Sequence, residues 1–294
     1  MVAVVNPVAG AGKASIRWAR VESRLAASGM HVDTRTSEYP GHAATLAREA
    51  VVGGCTTVVA VGGDGTVHEV VNGIGKESLQ TVSLAVIPAG TGMDFARNMG
   101  LPRGIEAVTQ VLLRGSTRRI DVGLSHLPTE TLFVNFAETG LGAAVVAREA
   151  LFAGGWPGRL SFLLAAIGAA VKEVNMRALV VVDGEPVYEG SMVSIVAANG
   201  RYFGGGMKIA PQASMTDGRL DVLILGNLTK GQLLTHFWKI YPGTHVRHPK
   251  VLWLRGTSVH IQTDSPFRLD LDGELNGGTP FQLTVLPEAL AVMC

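Results

Sequence analysis

Up to about residue 122, short, mostly apolar strand-like runs alternate with stretches whose apolar positions recur at helical spacing. These are VAVV, a helix from Ala14 to Ala27, HVDTR, a helix from His42 to Val51, TTVVAV, and SLAVIPAG with a helix after it. Unbroken apolar runs suit strands buried on both faces, so the alternation predicts a parallel sheet with helices on either side. Glycine turns follow the first, third and fourth runs, and ligands of such sheets collect at the carboxyl ends of the strands. After Asp121 the pattern changes. Residues 144–173 read as one or two helices broken at GGWPG. Beyond them ALVVVDGE, EGSMVSIVAAN, RLDVLIL, VLWLRG, SVHIQT and FRLDLDG follow as short strands with turn signals between, which predicts an antiparallel β-rich domain.

Composition narrows the classes. The chain has 294 residues, 47% of them hydrophobic, enough for a sizeable core. Its formal charge of +1 supplies no field for nucleic acid, which is therefore not an expected partner. Cys55 and Cys294 are too few for a disulfide framework and lack metal-ligand spacing, as in a reducing cytosol. The opening MVAVVNPVAGAGK reads as a first strand rather than a signal peptide. The longest nearly apolar run, at 160–171, is shorter than a membrane span needs. The expectation is a cytoplasmic protein, with peripheral attachment to a membrane left open.

Candidate chemistry lies in the glycine turns and in acids at strand ends. NPVAGAGKA at 6–14 looks like a P-loop, but Pro7 stands where the pattern wants glycine and Ala14 where it wants Ser or Thr. GGDGT at 62–66 places Asp64 where backbone N–H groups usually meet phosphate. Asp64 and Thr66 could cap the following helix, or Asp64 could face nucleotide hydroxyls or a magnesium-bound phosphate. IPAGTGMDFARN at 87–98 forms a third loop, with Thr91 able to bond phosphate and Asp94 opening a helix. Asp121 closes RRIDVG, and Asp272 and Glu274 sit in LDLDGEL. The DGE at 183–185 and the DG at 217–218 are expected as turns or a structural ion site.

Taken together, NPVAGAGK, GGDGTVHEVVNGI, PAGTGMDFARNMGLP, the DVG at 121–123, NGRYFGGGMKIAPQASMTDGRLDV, VRHPKV and DLDGE resemble the diacylglycerol kinase catalytic-domain family, in the family's order along nearly the whole chain. The resemblance implies an N-terminal parallel-sheet α/β domain, as in NAD kinases and diacylglycerol kinases, and a C-terminal β-sandwich domain with a cleft between them. The first would span 1–122, with 279–294 returning to it through FQLTVL, and the second 123–278. It implies ATP bound by Asn6, Thr36, Gly62, Gly63, Asp64, Gly65, Thr66 and Thr91, with Gly41 shaping the same edge. Asp94, Asp121 and Glu274 would organise a catalytic Mg2+, partly through water, and Asp272 would be the general base. Ser214, Asp217 and Arg219 match a secondary ion site, for which a plain turn is the alternative. One departure is Met93, where the family has asparagine; a thioether lacks the amide's donors and acceptor.

The expected activity is transfer of the ATP γ-phosphate to a lipid hydroxyl, with a lipid acceptor at a membrane surface. Phe152, Trp156 and Phe162 are candidates to line its groove, the alternative for their stretch, which the sequence favours, being ordinary core helix. The alternatives are a kinase of the NAD kinase kind and a homologue that binds nucleotide or lipid with little turnover. Homodimer formation is left open.

Overall fold

Val2–Val5 (β1), Asp33–Thr36 (β2), Thr57–Gly62 (β3) and Ser83–Pro88 (β4) pair in parallel in the order β2–β1–β3–β4. In this computed structural model the described residues are 1–126, 129–141, 143–144, 175–264, 267–278 and 280–294. They divide into two units, Met1–Val122 with Pro287–Cys294, and Gly123–Leu286.

The helices of the first unit are Lys13–Ala27 (α1), His42–Val52 (α2), Asp64–Ile74 (α3), Asp94–Met99 (α4) and Ile105–Arg114 (α5). In α1, Ala14, Trp18, Val21 and Leu25 form one buried stripe at helical spacing. That stripe packs with Val5, Val59, Val61, Ile87, Val108 and Leu112. β1 and β3 are buried on both faces, which explains their unbroken apolar sequences. Thr117–Ser125 (β5) carries the chain out of this unit.

The second unit is a β-sandwich-like domain. It holds Thr131–Phe133 (β6), Phe136–Gly140 (β7), Met176–Val182 (β8), Glu185–Ala198 (β9), Leu220–Gly226 (β10), the helix Lys230–His236 (α6), Val251–Gly256 (β11), Ser258–Thr263 (β12), Arg268–Leu271 (β13), Glu274–Gly278 (β14) and the first part, through Leu286, of Phe281–Met293 (β15). Its strands run in the order β14–β13–β7–β9–β8–β12–β15, with β10 between β9 and β11. Neighbours are antiparallel. Val180, Met192, Ile195, Val222, Ile261, Leu269, Leu271 and Phe281 meet in its core. Residues 145–173, including Phe152, Trp156 and Phe162, lie outside the described residues.

The returning segment differs from the expectation. FQLTVL does not join the first unit: it pairs with β12, Phe281 opposite Ile261 and Thr284 opposite Ser258. The return is Pro287–Cys294, where Ala291 and Val292 pair in parallel with Ser83 and Leu84 of β4. Pro287 reads as a strand end because it has no N–H to donate. β15 nevertheless runs through it, with Glu288 at φ 47° marking the change of partner.

Candidate functional site

The three glycine turns of the first unit interlock at the carboxyl ends of β1, β3 and β4. A Cβ on Gly90 would stand 2.4 Å from the Gly63 Cα, and one on Gly10 would stand 1.9 Å from the Ala89 carbonyl oxygen. Only glycine permits these approaches. Asn6 Nδ2 donates to Thr66 Oγ1 at 3.1 Å, and the Ala89 N–H donates to the Gly62 carbonyl at 2.8 Å. Thr91 and Thr36 are exposed, the latter at the end of β2 in register with Val5. Gly41, left-handed at φ 87°, caps α2, and its N–H donates to Glu69, which also accepts the Ala43 N–H, both at 3.0 Å. Glu69 was not singled out from the sequence. It stands on α3, and its contact with the start of α2 is visible only once the two helices pack.

Asp64 caps a helix, but not the one expected. α3 has no side-chain cap, whereas Asp64 Oδ1 accepts the Phe95 N–H of α4 at 2.9 Å. The carboxylate stands in the first turn of its own helix and bonds the first turn of a second. Two positive helix ends therefore account for a negative charge among glycines. Met93 is the residue before α4 and is left-handed, at φ 53° and ψ 42°. Asparagine takes that conformation more readily than methionine, so the departure from the family pattern is a matter of backbone as well as side-chain chemistry.

Asp94 is 4% exposed and ion-paired with Arg97, three residues on. Asp121 is fully buried and accepts the Glu288 N–H at 2.8 Å, pinning the returning strand. Among the described residues no three Asp, Glu, His or Cys side chains gather to hold a metal. The acids expected to organise Mg2+, partly through water, are divided between the units, Asp94 and Asp121 in the first and Glu274 in the second. The Ser214–Arg219 stretch closes on itself, Asp217 Oδ1 accepting the Arg219 N–H at 3.2 Å, which is an Asx turn.

In the second unit, Asp272 and Gly273 form the two-residue turn between β13 and β14, with φ 56° and 99°. Asp272 is 6% exposed. Its carboxylate accepts three backbone N–H groups, from Val134 at 2.7 Å, Asn135 at 2.8 Å and Phe136 at 3.0 Å. Glu274 follows on β14 and is exposed.

Asp270 and Glu138 are further acids that the sequence reading passed over. They lie directly opposite each other on β13 and β7, 1% and 8% exposed. Ser194 Oγ donates to Glu138 at 2.6 Å, and the Gly273 N–H donates to Asp270 at 2.7 Å. Burial pushes Asp270 well above the usual carboxylate range. The charges of Glu138, Asp272 and Glu274 add to that, while the Gly273 N–H opposes it. The signal was present in the LDLDGE alternation, since Leu269 and Leu271 face the core and Asp270 and Asp272 face away from it.

Among the described residues no helix is long and apolar enough to cross a membrane. Comparison with known proteins finds two family models in succession: a diacylglycerol kinase catalytic domain over residues 1–125 and a YegS C-terminal NAD kinase beta sandwich-like domain over 137–294. A diacylglycerol kinase of Mycobacterium tuberculosis is 29% identical, covering 100% of this chain and 94% of its own. A Chromohalobacter salexigens protein named "Probable lipid kinase YegS-like" is 30% identical over 92% of this chain and 86% of its own. Among solved structures, a diacylglycerol kinase of Bacillus anthracis matches with a TM-score of 0.75 at 21% identity, over 99% of this chain and 95% of its own. An NAD kinase of Archaeoglobus fulgidus, solved with ATP, reaches 0.54 at 12% identity over 100% and 93%. The last two show likeness of fold.

Proposed function

Because the chain belongs to the diacylglycerol kinase family of lipid kinases, we propose that it moves the γ-phosphate of ATP onto the hydroxyl of a diacylglycerol-like lipid. The observation that carries the reading is the interlocked seat of three glycine turns, with backbone N–H groups and the Asn6–Thr66 pair at the ends of parallel strands. In this reading Asn6, Thr36, Gly62 to Thr66 and Thr91 hold the nucleotide, and Asp64 fixes the loop before α4. Magnesium enters with ATP as part of the substrate, as is common where phosphates supply most of its ligands. Asp94 and Asp121 shape the acidic side of the seat.

Transfer forms a bond from the lipid oxygen to the γ-phosphorus and breaks the bond to the β,γ-bridging oxygen, with ADP leaving. The hydroxyl proton passes to the carboxylate of Asp272. Burial raises the Asp270 pKa well above the usual carboxylate range, which favours its neutral form and lessens the charge crowding around Asp272. Glu274 stands at the exposed mouth of the turn. The likeness to NAD kinases rests on fold alone, so the lipid acceptor is preferred.

The test is incorporation of label from γ-labelled ATP, with diacylglycerol in mixed micelles and NAD as parallel acceptors. Label in a chloroform-soluble phosphate ester is the expected result. Label in the nicotinamide dinucleotide, or in neither, contradicts the reading.

A further inference from the structure

Residues 222–263 of the second unit contain no Asp or Glu, yet they carry Lys230, Lys239, Arg247, Lys250 and Arg255. The same stretch holds every large hydrophobic side chain exposed on that unit among the described residues. These are Leu234, Trp238, Tyr241 and Leu252, at 42, 62, 45 and 36%. The helical geometry explains why they lie outside. α6, opened by a capping box between Thr229 and Gln232, runs on into a 3-10 turn at Phe237–Ile240. Phe237 and Ile240, one 3-10 repeat apart, pack on the core of Phe136, Val196, Phe203 and Leu223. Leu234, Trp238 and Tyr241, spaced by four and three residues, form a second apolar stripe that this core does not cover. A surface helix needs one apolar side to hold it to its domain; a second calls for another apolar neighbour.

The outer stripe sits on a well-anchored segment. The Ile240 carbonyl accepts the N–H groups of Lys208 and Gly243 at 3.2 and 3.0 Å, and the buried His245 donates from Nε2 to the Ile209 carbonyl at 2.9 Å. Phe237 meets the rings of Trp238 and Tyr241 edge-on, with centroids 5.7 and 6.5 Å apart. The turn Thr244–Arg247 lies against both the Phe237–Ile240 turn and β11, which makes the surface continuous. Among the described residues no carboxylate pairs with Lys239, Arg247 or Lys250, whereas Arg255 is taken by Asp221 at 3.1 Å. Lys250 bonds the Asn227 carbonyl and the Gln232 side chain, which leaves its charge uncompensated. Burial and the charges of His236, Lys250 and Lys239 hold the His248 pKa below its ordinary value.

We propose that this face of the second unit docks on the surface of an anionic bilayer, with Leu234, Trp238 and Tyr241 entering the headgroup boundary and Lys239, Arg247 and Lys250 meeting lipid phosphates. Trp and Tyr rings settle at that boundary, and the negative surface potential attracts each Lys or Arg. A second copy of the chain fits poorly, because a two-fold contact would set the same cations against one another. None of the residues assigned to ATP or to proton removal lies in 222–263, so the proposal does not rest on the kinase reading.

The experiment is flotation of the full chain, free of nucleotide, with vesicles of phosphatidylcholine alone and of phosphatidylcholine mixed with phosphatidylglycerol. It is repeated for Trp238→Ala/Tyr241→Ala and for Lys239→Gln/Arg247→Gln, all four side chains being exposed. Binding to the mixed vesicles, weakened by salt and lowered about tenfold or more in each double variant, is expected. Acyl-brominated phosphatidylglycerol in the mixed vesicles should also quench tryptophan fluorescence of the native chain, and Trp238→Phe should abolish most of that quenching. The second measurement needs no loss of binding and tolerates a variant that folds poorly. The proposal is overturned if the native chain binds no vesicle or binds neutral vesicles equally well, if the double variants bind like the native chain, or if quenching survives in Trp238→Phe. A native dimer in gel filtration that Trp238→Ala/Tyr241→Ala converts to monomer also overturns it, since the face would then belong to a second copy. No turnover is measured, so the outcome is independent of whether the chain phosphorylates lipid.

Discussion

Two hairpins of the second unit carry the same DGE letters, at 183–185 and 272–274, and fold the same way. In each the aspartate and glycine are both left-handed, at φ 50° and 86° in one and 56° and 99° in the other. In each the aspartate gathers donors from a distant segment. Asp183 accepts from the Thr257 N–H, the Thr257 hydroxyl and the Ser258 N–H at 2.8 to 2.9 Å, and Asp272 from three consecutive backbone N–H groups. What differs is the surroundings. Asp183 is exposed, whereas Asp272 is buried beside Asp270 and Glu138. The motif is a device for anchoring a hairpin, and what sets the second copy apart is the pair of buried acids beside it.

The largest effect should come from exchanging the two aspartates for asparagine. Asp272→Asn is expected to lower lipid phosphorylation by about 10² to 10⁴-fold, the range of a general base. Asp183→Asn should leave turnover near native and lower stability by about 1 kcal/mol, the scale of a lost charge-assisted bond. Steady-state assays and denaturant titration read the two; equal turnover in both variants would erase the distinction.

The turns should also respond to pH with opposite sign. Burial raises the Asp183 pKa, but bonds from Thr257 and Ser258 and the charge of Arg219 outweigh it, so the folded value lies below 3.8. Its stabilisation is present above pH 3.8 and lost as pH falls through the folded value. Asp270 lies well above 3.8 in the fold. Its contribution is full below pH 3.8 and is lost as pH rises through the raised value. Thermal melting across pH should show Asp183→Asn flattening the acid limb and Asp270→Asn flattening the opposite one. If Asp270→Asn leaves the alkaline-side slope unchanged, its carboxyl is not held protonated.

Gly184→Ala and Gly273→Ala give a smaller contrast. An added Cβ meets nothing within 4 Å at either position, so both should cost only the left-handed strain, about 1 kcal/mol, with turnover altered in the second alone. Met93 is a third left-handed residue, but without an aspartate's side-chain bonds. Met93→Asn should stabilise by about 1 kcal/mol or less, seen as a raised Tm; a lowered Tm would mean that the thioether's packing outweighs the backbone strain.

Much of the first unit was legible because β1, β3 and β4 are largely apolar runs and α1 carries one apolar stripe. The helix after GLPRG, α5, and the strands β6, β7 and β14 were not read, being short or bounded by weak turn signals. Asp64 was seen as a cap for the helix it begins; that it caps α4 follows only from the close approach of Gly63 and Gly90. Asp270 and Glu138 meet through the pairing of β13 with β7, a register that no local pattern reveals. The resemblance places FQLTVL in the first unit, but only Pro287–Cys294 lies there, because β15 changes partner part-way along, which no local pattern reveals.

The central claim is that nucleotide binding belongs to the glycine turns of the first unit and proton removal to Asp272 in the second. The most direct measurement is the ATP affinity of Asp272→Asn, by calorimetry, on the same preparation whose turnover has been assayed. The account predicts a Kd within about twofold of native alongside the loss of turnover. Turnover lost in proportion to ATP binding would contradict it.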